Sequence, residues 1–417
     1  MKKSKIRFRV GARSFVPFLI AVFHFVGVTA GMAQMTEKIE GLFYIDGSPV
    51  AIEIEAGTIK SITRLEDKKM VPDVYIAPGF IDNQINGYVS VSFTDDGLTV
   101  EGIRKATQGL WKTGVTTYLP TLVTSSHERL MKNFAVLVSA LEDEEIAKSI
   151  PGFHLEGPYI SPLDGFRGAH TKEWVRKPDW QEFTELYDAA DKKILQVTVA
   201  PEIEGAIDFI RKCTEKGILV ALGHHNGTAD QIKEAVDAGA VICTHLGNGC
   251  ANMIHRHNNP LWPQLAEDRL MASLIVDGFH LQPEEVQTFW KAKGTERIIL
   301  TSDITKLAGL PPGSYTWDGK EVVLTPEGMI KLPSQNVLAG ASLPVSTGVG
   351  NIIKFTRCPL ADAVHMATRN PAKLYNLRDR GEIKPGNRAD IILFTMEDNR
   401  LSIRKTILAG KVVYSAP

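Results

Sequence analysis

Four cysteines in 417 residues, none of them in a Cys-x-x-Cys pair, leave neither a disulfide framework nor a thiolate metal knuckle to be read. Cys213, Cys243, Cys250 and Cys358 stand in apolar or loop contexts as isolated thiols, and a chain of this size needs no covalent staples. An excess of one charge is also lacking. The 47 Lys and Arg balance 48 Asp and Glu, and no basic stripe interleaved with aromatics occurs, so neither nucleic acid nor an acidic membrane is an evident partner. No Gly-rich phosphate loop follows the first strand, which weighs against a doubly wound nucleotide-binding sheet. What remains is a globular composition, 44% hydrophobic and 23% charged, whose partner is a small molecule.

The N-terminus differs from the rest. Lys2, Lys3, Lys5, Arg7, Arg9 and Arg13 precede an apolar stretch from Phe15 to about Ala30 and a small-residue region ending at Ala33. That order is the pattern of a secretory leader over 1–34, and with Pro17 and His24 in it the stretch is too short and broken for a membrane span. Removing it takes away six positive charges and no negative ones, changing the formal net charge from −1 to −7. The chain is then expected to be exported to the periplasm; it is cytoplasmic if translation starts at Met32 or Met35. No membrane span is expected in the mature chain.

Past the leader, short alternating runs separated by turns, such as Val50 to Glu55 before Ala56-Gly57, are hairpin signals, and they recur between Ala389 and Tyr414. The two ends, 38–76 and 381–415, are expected to build one small β-sandwich domain. Between them, 77–380 alternates apolar runs with helical periods, as in Leu130, Phe134, Leu137, Val138 and Leu141. Strands near Ile76, Val115, Ile150, Leu195, Leu219, Val241, Ala272 and Ile298 make eight βα units, an α/β fold of the (β/α)8 TIM type with its active site at the C-terminal strand ends.

Four of those strand ends carry a polar group: Glu156 after Ile-Pro-Gly-Phe-His-Leu, His224 after Leu-Val-Ala-Leu-Gly, His245 after Val-Ile-Cys-Thr, and Asp303 after Ile-Ile-Leu-Thr-Ser. A barrel of this kind brings them to one mouth. Oxygen and neutral nitrogen donors suit zinc and similar divalent ions, so the set reads as a metal-dependent hydrolase. A carboxylate buried without a partner is costly, and a cation supplies the partner.

With these residues in place, the sequence resembles the amidohydrolase superfamily, and within it the N-acetylglucosamine-6-phosphate deacetylases. The resemblance rests on motifs in order, from Ala77-Pro78-Gly79-Phe80-Ile81-Asp82 through His154-Leu155-Glu156-Gly157-Pro158, Gly223-His224, Thr244-His245-Leu246-Gly247-Asn248-Gly249 and Asp277-Gly278-Phe279-His280 to Thr301-Ser302-Asp303 and Gly381-Glu382-Ile383-Lys384-Pro385-Gly386. Many amidohydrolases hold a second ion with His-x-His at the first strand. Here those positions are Gln84 and Asn86, poor zinc ligands that match the one-metal members.

The resemblance implies a single divalent ion, zinc before iron, cobalt or manganese, held by Glu156, His224 and His245. It makes Asp303 the general base and acid, and gives His170 a part in polarising the amide carbonyl. His154 and His225 are supporting residues rather than ligands. His280, Asn248 and Gly249 match substrate contacts, and Arg256 either serves a phosphate in a neighbouring subunit of a homodimer or is simply a surface arginine. The implied substrate is N-acetylglucosamine 6-phosphate, cleaved to the amine and acetate. An exported amidase on an unphosphorylated N-acetyl compound and a non-catalytic barrel are the alternatives.

Overall fold

The computed structural model describes residue 1 and residues 37–417, apart from 318–319 and 334–336. The basic and apolar leader expected over 1–34 lies outside the described residues, residue 1 aside. Among the described residues no helix is long and apolar enough to cross a membrane.

Eight parallel strands form the centre: Phe80–Ile85, Val115–Val123, Phe153–Glu156, Ile194–Val199, Leu219–Leu222, Ala240–Cys243, Met271–Ile275 and Ile298–Thr301, paired in chain order. The later ones, such as Leu219–Leu222, Ala240–Cys243 and Ile298–Thr301, read as near-continuous apolar runs because helices cover their outer face while side chains fill the interior. The circle closes through the Ile85–Ile304 bridge, where Asp303 N–H donates to the Gln84 carbonyl at 3.0 Å and Asn86 N–H to that of Ile304 at 2.9 Å. Asp82 reinforces this seam, one carboxylate oxygen accepting from the Thr301 hydroxyl, Ser302 N–H and Gln84 N–H. Burial pushes the Asp82 carboxyl up to about 6.

The connecting helices are amphipathic as their spacing predicts. In His127–Ala140, capped by the Ser126 hydroxyl on Arg129 N–H, the residues Leu130, Asn133, Phe134, Leu137 and Ala140 turn inward. Phe134 packs against Phe153 of the third strand with centroids 5.9 Å apart.

The chain ends join in one continuous seven-stranded sheet, ordered Lys411–Ser415, Arg400–Leu408, Ile391–Glu397, Tyr75–Pro78, Glu37–Phe43, Pro49–Glu55 and Thr58–Arg64. The turn at Gly57 is tied to the segment before Ile391–Glu397, Ala389 N–H donating to the Gly57 carbonyl at 2.9 Å. Where a sandwich was expected, the chain ends build one continuous sheet. Ala56 and Gly57, with φ of 50° and 78°, supply the left-handed pair that a two-residue hairpin turn requires. Ile76, expected on the first barrel strand, belongs to this sheet, and the barrel strand begins at Phe80.

A third piece is absent from the sequence reading. Gly313–Trp317, Lys320–Leu324, Ile330–Leu332 and Val337–Leu338 form an antiparallel sheet after the eighth barrel strand, with a core of Leu307, Val322, Leu324, Ile330 and Leu332. It stands over the barrel mouth.

Phe134→Ala is expected to cost about 3–5 kcal/mol of stability, since the ring is fully buried at a helix–strand contact. Chemical denaturation measures it, and a loss under about 1 kcal/mol would contradict this packing.

Candidate active site

Each of the four strand-end residues is fixed by backbone geometry that its strand ends on. Glu156 is the last residue of the third strand, while His224, His245 and Asp303 follow the fifth, sixth and eighth with φ of 51°, 28° and 52°. Left-handed backbone at three residues with bulky side chains is strain that a scaffold holds only where the surroundings over-determine it. It turns their side chains into the mouth.

There the donor atoms converge. Glu156 Oε1 lies 2.9 Å from His245 Nε2 and 3.3 Å from His224 Nε2, and the two imidazole nitrogens are 3.1 Å apart. All three residues are buried. The second ring nitrogen of His224 faces the Phe166 carbonyl at 3.1 Å; a carbonyl only accepts, so Nδ1 carries the proton and Nε2 keeps its lone pair for a cation. Burial raises the Glu156 carboxyl, but the two imidazoles that face it, His224 and then His245, outweigh it and hold the group well below the usual range. Three donors of the right chemistry, each within 4.8 Å of the others, fit one divalent ion.

Gln84 and Asn86, the residues that the family resemblance puts in place of a second ion's ligands, are both occupied as donors. Gln84 Nε2 donates to Glu156 Oε1 at 2.9 Å and to Asp303 Oδ1 at 3.0 Å, and Asn86 Nδ2 donates to the same Asp303 oxygen at 2.6 Å. The amides tie the two carboxylates together. Asp303 is pushed up to about 6, by burial first and then by the charge of Glu156.

His170 comes into the same mouth, its Nε2 3.1 Å from His224 Nε2 and its Nδ1 2.8 Å from the Thr124 hydroxyl. Burial and then the neighbouring His224 push it down to about 3, so it is a neutral imidazole. His154 is held below the site by Thr121, Thr198 and Gln196, and burial pushes it down to about 4. His225 accepts from Gly227 N–H away from the ligand atoms.

The four residues, with His170, His280, Asn248, Gly249 and Asn86, line a cavity of about 450 Å³. His280 is positioned by Asp277, whose carboxylate meets its Nδ1 at 2.7 Å and caps the backbone N–H groups of Phe279 and His280. Arg256 is not among the lining residues: it is exposed on the loop after the sixth strand, where its carbonyl accepts from the Trp262 indole. Sequence reasoning missed Thr124, Lys306 and Trp317, all of which line the cavity. Thr124 could have been found as a polar residue closing the apolar run Leu119 to Val123; the others sit on the unanticipated sheet or just before it.

A closed parallel barrel with these donors at its mouth defines a metal-dependent hydrolase of carbon–nitrogen bonds. The chain belongs to the amidohydrolase family, whose sequence profile matches residues 75–413. Similar relatives include the N-acetylglucosamine-6-phosphate deacetylase of Lysinibacillus sphaericus, 30% identical over 81% of this chain and 85% of that one. The N-acetylgalactosamine-6-phosphate deacetylase of Escherichia coli O157:H7 is also 30% identical, over 81% and 87%. Among solved structures, the N-acetylglucosamine-6-phosphate deacetylase of Thermotoga maritima superposes with a TM-score of 0.80 at 30% identity, covering 92% of this chain and all of that one.

The raised Asp303 gives a direction for pH. Below its pKa the group is a carboxylic acid and takes no proton, so a reaction that uses it as a base loses rate as pH falls through about 6, or lower once a cation is bound beside it. A profile of kcat/KM flat from about pH 7 to about pH 4 would contradict this.

Proposed function

We propose that the protein hydrolyses the N-acetyl amide of N-acetylglucosamine 6-phosphate, releasing glucosamine 6-phosphate and acetate. The observation that carries the reading is the pairing of a three-donor cluster with a second carboxylate, Asp303, that is held by two amides instead of by a cation. Zinc is the proposed ion, held by Glu156, His224 and His245. When bound it supplies a Lewis acid for the carbonyl and lowers the pKa of water.

The chain's own groups do the rest. Gln84 and Asn86 aim one oxygen of Asp303 by donating to it, which leaves the other to take a proton from the attacking water. As the C–N bond breaks, Asp303 returns that proton to the leaving nitrogen, so one carboxyl serves as base and then acid. His170, neutral and anchored through Nδ1 to Thr124, presents Nε2 toward the place where the carbonyl oxygen gains charge.

Phosphate recognition calls for a second chain. The two cationic side chains among the described lining residues, Lys306 and Arg129, are ion-paired with Asp95 and Asp96. Asn248, the Gly249 backbone and His280 supply polar contacts but no fixed cation. Arg256, on a loop that also exposes Met253 and leads into the helix Leu261–Ala266 with its exposed Trp262, is proposed to reach the site of a partner in a homodimer. The same observation supports a second reading, an unphosphorylated N-acetyl amino sugar.

Comparing N-acetylglucosamine with and without its 6-phosphate separates the two: the phosphorylated sugar is expected to be preferred, and a large preference for the free sugar would sink the first reading. Arg256→Ala is expected to raise KM for the phosphorylated sugar about tenfold, a loss near 1.4 kcal/mol, in a protein that light scattering finds dimeric. A monomer, or an unchanged KM, would remove the arginine from the site. Asp303→Asn is expected to lower kcat by a factor of about 10²–10⁴ with little change in substrate binding; full activity would refute its role.

A further inference from the structure

The cavity extends past the groups that the deacetylation reading uses. Those groups stand at the ends of the first, third, fifth, sixth, seventh and eighth strands, with Thr124 behind His170 at the end of the second. A further set belongs to the arc where the eighth strand meets the first three: Asp95 after the first strand, Arg129 on the helix after the second, Trp174 after the third, and Lys306 and Trp317 after the eighth.

This arc is ordered and charge-neutral. Lys306 Nζ lies 2.6 Å from Asp95 Oδ2, and Arg129 holds Asp96 through Nε at 3.1 Å and Nη2 at 2.6 Å. Trp317 packs on the small core beneath the four-stranded sheet, with the Lys306 ammonium 5.2 Å from its ring centroid, so its indole is a supported platform. A phosphate entering here would have to face Asp95 and break an existing ion pair. An apolar group would desolvate two charges without compensating them. A sugar meets both conditions: its hydroxyls can donate to Asp95 and accept from Lys306 while the pair stays intact, and its C–H face suits the electron-rich face of an indole.

We propose that Asp95, Lys306, Trp174 and Trp317 form a second subsite that takes a neutral glycosyl residue linked to the acetylated sugar. The enzyme then acts on the N-acetyl group of a disaccharide or longer chain in preference to the monosaccharide. This rests on the deacetylase reading for the reacting sugar, but not on whether that sugar is phosphorylated.

The test uses the zinc-loaded full chain with N-acetylglucosamine and its β-1,3- and β-1,4-linked disaccharides, measuring both kcat/KM and calorimetric Kd. In wild type the better disaccharide is expected to exceed the monosaccharide about tenfold in each quantity. Trp317→Ala is expected to bring that ratio to about one, and Trp317→Phe to restore part of it. A wild-type ratio at or below one for both disaccharides overturns the subsite, as does a ratio that Trp317→Ala leaves unchanged. A phenyl glycoside gaining as much as the disaccharide overturns it too, since the arc would then be an apolar pocket. If the disaccharide binds through Trp317 and neither these sugars nor N-acetylglucosamine 6-phosphate is deacetylated, the subsite stands and the deacetylase reading falls.

Discussion

The structure depends on one electrostatic constraint: a carboxylate and two imidazole nitrogens face each other at 2.9–3.3 Å in a buried barrel mouth. Lone pairs at that separation repel unless a positive charge lies among them, and burial makes an unpaired carboxylate more costly still. Donors bound at roughly 2.0–2.1 Å to a tetrahedral ion stand about 3.3 Å apart, so the same spacing that is unfavourable in an empty site is close to that of a filled one. The left-handed backbone at His224 and His245 has the same explanation, because strain of about 1–3 kcal/mol per residue persists where a site over-determines it.

Everything around the cluster serves to make its members differ. Gln84 and Asn86 donate to Asp303, which keeps this carboxylate oriented and unligated a few ångströms from Glu156. The two carboxyls are pushed in opposite directions, Glu156 down by its imidazole neighbours and Asp303 up by burial and by Glu156 itself. Two groups of the same chemistry are set apart by their environments, which is what the proposed roles of ligand and proton carrier require. Beneath them Thr121, Thr198, Gln196 and His154 form a buried polar layer in which the hydroxyl, amide and imidazole groups satisfy one another, a floor that holds the strand ends in register.

The barrel was legible because its strands are short apolar runs at regular spacing, and the metal cluster because a polar residue closing such a run has few other reasons to be there. The role of Gln84 and Asn86 as donors to Asp303 was not legible: the family resemblance implied only that they stand in place of ligands, and only the closing seam at Ile85–Ile304 brings them beside the eighth strand. The start of the barrel at Phe80 was misplaced toward Ile76 because a strand of the small sheet runs into the first barrel strand with only Gly79 between. The four-stranded sheet carried its own signal in Trp317-Asp318-Gly319-Lys320, a hairpin turn pair between β-formers, which the expectation of helices after strand eight obscured. Substrate contacts were least legible: Arg256 is exposed and is not among the residues that line the cavity.

The central claim is that Glu156, His224 and His245 hold one ion, and that the amides at the first strand exclude a second. Metal content of the purified protein tests it most directly. One zinc per chain, lost in Glu156→Gln and retained in Gln84→Ala, is the predicted result; two ions per chain, or full occupancy in Glu156→Gln, would contradict it.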